Sequence, residues 1–133
     1  MHYLGHQHGI KLGLTVEENL RLAVQLAASV GVSPSLTEQL DATFHLLQLG
    51  THRHTLASAL SAGQKRRLAL ARLWLINKPL WILDEPLTAL DKASQELFLQ
   101  HLEQHLLTGG MCVLSSHQAL PITPSHTLKL PLC

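Results

Sequence analysis

The chain has 133 residues and a formal net charge of +1, which is room for one ordinary domain and provides no basic field for nucleic acid. Hydrophobic residues make up 46% of the sequence and aromatic residues 4%, which excludes disorder and predicts an aliphatic core. The apolar runs are too short to span a membrane, no signal peptide is recognised, and Cys112 and Cys133 are predicted to be reduced thiols in a cytoplasmic protein.

Residues 1–60 are predicted to be mainly helical, after a short apolar start and a loop rich in Gly and His over residues 2–11. Two capping-box patterns, each a Ser or Thr followed three residues later by Glu, predict two helices. One helix begins at Thr15, with Glu18 three residues on, and Gly31 is its expected stop. The other begins at Ser35, with Glu38 three residues on, and runs to Leu49. Residues 51–60 form a connection.

Residues 61–133 alternate between helices and strands. A third capping box, at Ser61 and Gln64, predicts a helix that ends before Pro79. Short, bulky, uncharged runs at 80–83 and 111–114 predict buried strands of a parallel sheet, with a helix over 92–107 between them. A short edge strand is expected at 127–130. The pattern is that of an α/β fold, in which ligands bind at the carboxyl ends of the strands.

Two adjacent carboxylates follow the first of these strands in the sequence WILDEP. Like charges this close repel each other, and burial adds to the cost, so a bound cation or a proton-accepting role would justify them. Asp84 would then hold a magnesium ion, and Glu85 would take a proton from an attacking water. The alternative is a pair of acids in an ordinary turn or helix cap.

Three further features are candidates for a ligand site. In LSAGQ, residues 60–64, Ser61 and Gly63 stand at a helix N-terminus that could cradle a phosphate, although a plain capping box also explains Ser61 and Gln64. His117, after the second strand, could donate to a phosphate oxygen or be a structural histidine. Gln7, in the loop HQHG, could orient a water or bind a cation.

Taken together, the motifs resemble the ATP-binding subunit of ABC transporters. LSAGQ resembles the signature motif, LWILDEP the Walker B motif with its glutamate, LTALD (87–91) the D-loop, SSHQ the switch histidine region and GHQ the Q-loop. These motifs in this order are highly specific and cover nearly the whole chain. The stretches YLGHQHGIK, LARLWLINKPLWILDEPLTALDK and GGMCVLSSHQ are most similar to the haem-exporter ATPase of cytochrome c maturation.

The resemblance implies a P-loop NTPase fold of the ABC ATPase type that lacks its N-terminal part. Residues 1–60 would form the Q-loop and helical subdomain. Residues 61–133 would form the signature helix, the parallel-sheet elements and the C-terminal tail. No GxxxxGK[ST] phosphate loop occurs in the sequence, so the chain by itself is expected to be inactive. Ala62 is a smaller departure, at a position where the signature motif usually has glycine.

The resemblance also implies a mechanism. Two ATPase subunits would close head to tail on two ATP molecules, with Ser61 and Gly63 of one subunit touching the γ-phosphate bound by the other. Asp84 would organise Mg²⁺, Glu85 would polarise the water, and His117 would stabilise the charge that develops on the transferred phosphoryl group.

Within such a dimer, Gln7 would sense the γ-phosphate and pass closure to permease subunits in the membrane, while Asp91 would couple the two sites. The subunit would be held at the cytoplasmic side of the inner membrane by its partners, without a membrane span of its own.

Three other functions stay open. The chain could be a non-catalytic interaction module derived from an ABC ATPase, or it could serve another ABC exporter. It could also bind metal through histidines, in the pairs His6 and His8, His52 and His54, and His101 and His105. The strands of the missing N-terminal part would pair with those present, so the chain is expected to expose sheet edges and apolar surface and to be prone to aggregation when isolated.

Overall fold

The computed structural model describes residues 2–4, 9–27, 35–116 and 120, with only the backbone described for residues 2–4. Among these residues the helices and strands follow one another in the order β1 (His2–Leu4), α1 (Val16–Ala27), α2 (Leu36–Leu46), α3 (Ala62–Leu75), β2 (Leu80–Asp84), α4 (Lys92–Leu107) and β3 (Met111–Ser115). Two short 3-10 turns, Gly50–His52 and Ala57–Ala59, lie in the connection between α2 and α3.

The strands form a three-stranded sheet in the order β1-β2-β3, and both neighbouring pairs are parallel. The α/β class and the two predicted strands are therefore confirmed, and both strands extend one residue further than predicted. Strand β1 was not predicted, because three residues are too few to show an alternating pattern. The expected edge strand at 127–130 lies outside the described residues.

Local hydrogen bonding begins two of the helices as predicted. At α1, the Glu18 amide donates to Thr15 Oγ1 at 3.1 Å and the Thr15 amide donates to Glu18 Oε1 at 2.9 Å. At α3, the Gln64 amide donates to Ser61 Oγ at 3.2 Å and the Ser61 amide donates to Gln64 Oε1 at 2.9 Å. Both capping boxes are confirmed.

The capping box predicted at Ser35 is wrong. An N-cap that bonds through its side chain has an extended backbone, whereas Ser35 has φ −83° and ψ 4° and makes no such bond. Its hydroxyl accepts instead from Gln39 Nε2 at 3.3 Å. The end of α2 also differs, because the helix stops at Leu46 and Gln48 turns the chain with φ 56°.

The core consists of two groups of buried, mainly aliphatic side chains, each of which contains one phenylalanine. The first group lies between α1, α2 and α3 and contains Phe44, and the second lies between α3, α4 and the sheet and contains Phe98. Helix α3 contributes to both, with Leu68 and Ala71 in the first group and leucine side chains such as Leu70 in the second. Helix α3 therefore joins the helical part of the molecule to the sheet.

None of the described helices has both the length and the apolar character needed to cross a membrane.

Candidate active site

Two carboxylates lie at the carboxyl end of β2, the central strand of the sheet. Asp84 is the last residue of the strand, and Glu85 follows it directly. Strand β3 ends at the same level, because Asp84 is paired with Ser115. Ser115 Oγ donates a hydrogen bond to Asp84 Oδ1 at 2.7 Å. Asp84 and Ser115 therefore meet at the carboxyl ends of the two strands.

Glu85 adopts a backbone conformation that is unusual for a residue with a side chain, with φ 50°. Its amide donates to the carbonyl and the hydroxyl of Ser115, both at 3.1 Å. Its carbonyl accepts from the Thr88 amide at 3.2 Å, which closes a tight turn over residues 85–88. Its carboxylate accepts from Thr88 Oγ1 at 3.3 Å. The left-handed conformation costs about 1–2 kcal/mol, so these contacts hold Glu85 in a strained position.

Arg66 belongs to this site, although none of the sequence motifs includes it. It lies on α3 and is 3% exposed. Its Nη2 donates to the Glu85 carbonyl at 2.7 Å, and its Nε donates to the Thr88 carbonyl at 3.3 Å. Burial lowers the pKa of Arg66, while the negative charges of Asp84 and Glu85 act in the opposite direction. The sequence signal that could have drawn attention to Arg66 is a cation two residues before the apolar run LALA at 68–71.

The signature-like segment LSAGQ forms the start of α3. Ser61 and Ala62 are exposed, and the side chains of Ser61 and Gln64 are paired in the capping box. Gln64 Nε2 also lies 3.0 Å from His52 Nε2, a contact the sequence did not indicate. A Cβ atom added at Gly63 would lie 2.9 Å from the carbonyl oxygen of Ala89. The start of α3 is therefore in direct contact with the loop that follows Glu85.

Asp91 ends this loop and caps α4. Its Oδ1 accepts from the Ser94 amide at 2.9 Å, and hydrogen bonds from the Ser94 hydroxyl and then the Ser94 amide lower the pKa of the Asp91 carboxyl. Ala89, two residues earlier, has φ 64°, so the loop contains a second left-handed residue besides Glu85. The side chain of Asp91 is exposed.

Gln7 and His117 lie outside the described residues, so their predicted roles stay predictions. The chain just after Gln7 is tied to α3, because Arg72 Nη2 donates to the Gly9 carbonyl at 2.8 Å. Gly9 has φ 66°, and an added Cβ would lie 2.9 Å from Arg72 Nη2. A glycine is needed here for both the backbone angle and the close approach of the guanidinium.

The histidines on α4 pack against both tryptophans. The His101 ring stacks on Trp74 with centroids 4.3 Å apart, and the His105 ring stacks on Trp81 at 3.8 Å. Each ring also donates from Nε2 to a backbone carbonyl, that of Leu73 for His101 and that of Met111 for His105. Burial lowers the pKa of His101. These contacts give the pair a packing role.

In the described part of the chain, no group of three or more His, Cys, Asp or Glu residues is arranged to hold a metal ion. His52 contacts Gln64, and His54 is exposed with Nδ1 3.9 Å from Glu17 Oε2. Burial raises the pKa of the Cys112 thiol to about 11, so this cysteine is protonated at neutral pH. Magnesium is a different case, because it prefers oxygen ligands and keeps several of its waters. The carboxylate of Asp84, beside the Ser115 hydroxyl, fits that preference.

Curated relatives with a common description are similar to most of the chain. The "Cytochrome c biogenesis ATP-binding export protein CcmA" of Pectobacterium atrosepticum is 46% identical over 121 residues, which are 89% of this chain and 53% of that protein. The protein of the same name from Paracoccus denitrificans is 40% identical over 128 residues, which are 96% of this chain and 57% of that protein. The chain thus spans little more than half the length of these relatives.

Solved structures share the fold. One described as the structure of the ATP-binding subunit of an ABC transporter superposes with a TM-score of 0.74 at 25% identity, over 86% of this chain and 47% of that one. A dimeric ATP-binding cassette bound to ADP and Pi superposes with a TM-score of 0.75 at 24% identity, over 87% of this chain and 51% of that one. The predicted ABC ATPase fold is therefore confirmed.

The family whose description is ABC transporter matches residues 1–88. That match includes the signature-like start of α3, strand β2 and the two carboxylates that follow one another at its end. It covers more than half of the chain, and the chain therefore belongs to the ABC transporter family.

Proposed function

We propose that this chain carries the water-activating and signature residues of an ABC transporter ATPase. The complete ATPase would use ATP to drive the haem exporter of cytochrome c biogenesis. The observation that carries the proposal is the arrangement at the end of β2. There Asp84 accepts a hydrogen bond from Ser115, and the backbone carbonyl of the next residue, Glu85, accepts one from Arg66 of α3. The shared description of the relatives, cytochrome c biogenesis ATP-binding export protein, supports the choice of transporter.

In this proposal Asp84 holds Mg²⁺, directly or through its waters. When bound, Mg²⁺ neutralises charge on the phosphates of ATP. Glu85 accepts a proton from the attacking water, and its carboxylate is oriented by Thr88 Oγ1. His117 stabilises charge that develops on the transferred phosphoryl group. Asp84 and Glu85 thus have different tasks although they are neighbours.

The signature residues act on a second subunit. We assign Ser61, Ala62, Gly63 and Gln64 to contacts with the ATP bound by a partner ATPase in a head-to-tail dimer. The exposure of Ser61 and Ala62 at the start of α3 is compatible with such a contact. Asp91 would couple the two sites of the dimer.

Gln7 and the helical part, within residues 1–60, would pass closure of the dimer to permease subunits in the membrane, while residues 61–133 supply the sheet and the chemistry. The subunit would be peripheral, on the cytoplasmic side of the inner membrane. A GxxxxGK[ST] phosphate loop does not occur among the 133 residues, and we expect no ATP turnover by these residues alone.

The test is a chimera in which residues 1–133 replace the matching segment of the Pectobacterium atrosepticum relative, which is 46% identical. We expect the chimera to hydrolyse ATP. Glu85→Gln should lower kcat about 10²- to 10⁴-fold, because the proton acceptor is lost, while ATP still binds. Asp84→Asn should instead raise the Mg²⁺ concentration that hydrolysis requires. Steady-state hydrolysis measures kcat and its dependence on Mg²⁺, and equilibrium binding shows whether each variant still binds ATP.

Glu103→Gln is the matched control, because Glu103 is an exposed carboxylate on α4, and this variant should hydrolyse ATP at the parent rate. Unchanged turnover in Glu85→Gln would remove Glu85 from the proton-accepting role. A folded chimera that binds ATP without hydrolysing it would favour the non-catalytic interaction module.

The transporter assignment has its own test. The chimera is expressed in a Pectobacterium atrosepticum strain from which the gene for its own CcmA protein has been deleted. It should restore c-type cytochromes, measured by haem staining. Restored ATPase activity without restored cytochromes would point to an exporter of another substrate.

A further inference from the structure

We infer that Arg66 is a positioning residue for the carboxylate of Glu85 and acts on it through the backbone of the turn over residues 85–88. The inference rests on the proposed function, because it adds a residue to the hydrolysis that is assigned there to Glu85. The observations that support it are the hydrogen bonds of Arg66 to the turn and the backbone angle of Glu85.

One planar guanidinium binds both ends of this turn. Arg66 Nη2 donates to the carbonyl of Glu85, the first residue, at 2.7 Å, and Arg66 Nε donates to the carbonyl of Thr88, the last residue, at 3.3 Å. The Glu85 carbonyl also accepts the Thr88 amide at 3.2 Å. The fork of the guanidinium holds two carbonyls at a fixed separation, which a single-point donor such as lysine cannot do.

The held conformation determines where the Glu85 carboxylate points. Glu85 has φ 50°, and a residue with a side chain leaves this region unless its surroundings hold it there. A return to negative φ would rotate the side chain about the backbone and carry the carboxylate away from Thr88 Oγ1. The Glu85 amide is held by Ser115, and its carbonyl by Arg66, so the two bonds restrain the peptide units on either side of the strained residue.

The burial of Arg66 argues for a specific task. Arg66 is 3% exposed, and taking a guanidinium out of water costs free energy that an apolar side chain at the same position would avoid. The neighbouring Arg67 is directed elsewhere, because its Nη1 donates to the Leu47 carbonyl at 3.2 Å. Of these two arginines, Arg66 is the one bonded to the turn that carries Glu85.

Amide hydrogen exchange tests the link in the full 133-residue chain without ATP. In Arg66→Met, which keeps bulk but has no donor, the Thr88 amide should exchange at least about tenfold faster than in the parent. Lys65→Met is the matched control, since it removes a cation from the adjacent position of α3, and it should leave this amide unchanged. Parent-like protection of Thr88 in Arg66→Met would overturn the inference.

The chimera tests the consequence for hydrolysis. Arg66→Met should lower kcat about 10- to 100-fold per bound nucleotide while KM for ATP stays within about threefold, because a displaced carboxylate affects the reaction and not ATP binding. Arg66→Gln can donate to one carbonyl and should fall between the parent and Arg66→Met. A purely structural role would reduce the fraction of folded protein and leave kcat per bound nucleotide unchanged.

The outcomes separate the two proposals. A chimera with native Arg66 that hydrolyses no ATP overturns the proposed function. An active chimera whose Arg66→Met variant keeps the parent kcat overturns the positioning role alone. If Arg66→Met does not fold, Arg66→Gln decides the matter, because a kcat equal to that of Lys65→Met would contradict the inference.

Discussion

Gly63 and Ala62 are adjacent residues of the signature-like segment, and the structure gives them different constraints. The signature motif usually has glycine at the position of Ala62. Ala62 is exposed at the start of α3, so there is room for its methyl group. Gly63 faces the Ala89 carbonyl, which would lie 2.9 Å from an added Cβ. The position that differs from the family pattern is therefore the exposed Ala62, and glycine is kept at Gly63, where an added Cβ would clash.

Gly63→Ala should destabilise the chain by about 1–3 kcal/mol. Alanine favours a helix over glycine by about 1 kcal/mol, but the new methyl group would clash with a backbone atom of Ala89, which cannot rotate away as a side chain could. Urea unfolding followed by circular dichroism measures the change. Gly50→Ala is the control, because nothing lies within 4 Å of a Cβ at Gly50, and equal stability of the Gly63→Ala variant and the parent would show that the loop gives way.

The helical elements α1 and α2 are connected through one guanidinium. Arg53 Nε donates to Glu17 Oε2 on α1 at 2.7 Å, and Arg53 Nη1 donates to Asp41 Oδ1 on α2. The Arg53 guanidinium also lies 4.9 Å from the centre of the Phe44 ring. Glu17 is held a second time by Arg21 Nε at 2.8 Å, and its side chain is 15% exposed.

This cluster predicts loss of stability in acid. The hydrogen bond from Arg53 lowers the pKa of Glu17 from 4.5 to about 2, so folding favours the charged carboxylate. The stabilisation is fully present above pH 4.5 and is lost as the pH falls towards 2. Glu17→Gln should lower the free energy of unfolding by about 1–3 kcal/mol at neutral pH and by less in acid, measured by urea midpoints across this range.

The matched control for that experiment is Glu103→Gln, at an exposed carboxylate on α4. We expect it to follow the parent at every pH. If Glu17→Gln and the parent lost stability in parallel between neutral pH and pH 3, the contribution of Glu17 would be disproved.

Among the helices and strands, the features that could be predicted from the sequence are those that depend on residues close together in the chain. The capping boxes at Thr15 and Ser61 depend on side chains three residues apart, and both form. The box at Ser35 does not form, because φ −83° and ψ 4° at Ser35 differ from the extended backbone of a side-chain N-cap. Strand β1 was missed because parallel pairing with β2, and not its own three residues, makes it a strand.

The same distinction applies to the site. The position of Asp84 and Glu85 at the end of a strand could be predicted from an apolar run that stops at two carboxylates. The contacts of Arg66 with the turn, and of Gly63 with Ala89, depend on how the loop folds back over α3. A local pattern carries no information on that path, so these contacts could not be predicted.

For the molecule as a whole, the two faces of the sheet are covered unequally within the described residues. Trp81 and Leu83 are buried against α3 and α4, whereas Met111 and Val113 of β3 are each 61% exposed. Strand β3 is also the last strand in the described sheet. The predicted exposure of apolar surface is confirmed, and such a surface beside a strand edge favours association.

We therefore expect the isolated chain to associate as its concentration rises, measured by sedimentation velocity. Replacing Met111 and Val113 with threonine should reduce association, because threonine keeps the strand preference and makes the face polar. Leu26→Gln is the control, since Leu26 is 78% exposed on α1, away from the sheet, and should change association little. A parent chain that stays monomeric and melts in one sharp transition would contradict this expectation.

The stacking of histidines on indoles has an optical consequence. The chain contains two tryptophans, and each of them lies against a histidine ring of α4. All of its indole fluorescence therefore comes from two chromophores placed where α4 meets α3 and the sheet. Any event that lifts α4 from that position removes an aromatic neighbour from both indoles at once. Tryptophan emission, excited at the red edge of the protein absorption band, therefore reports on the contact of α4 with α3 and the sheet, and no attached dye is needed.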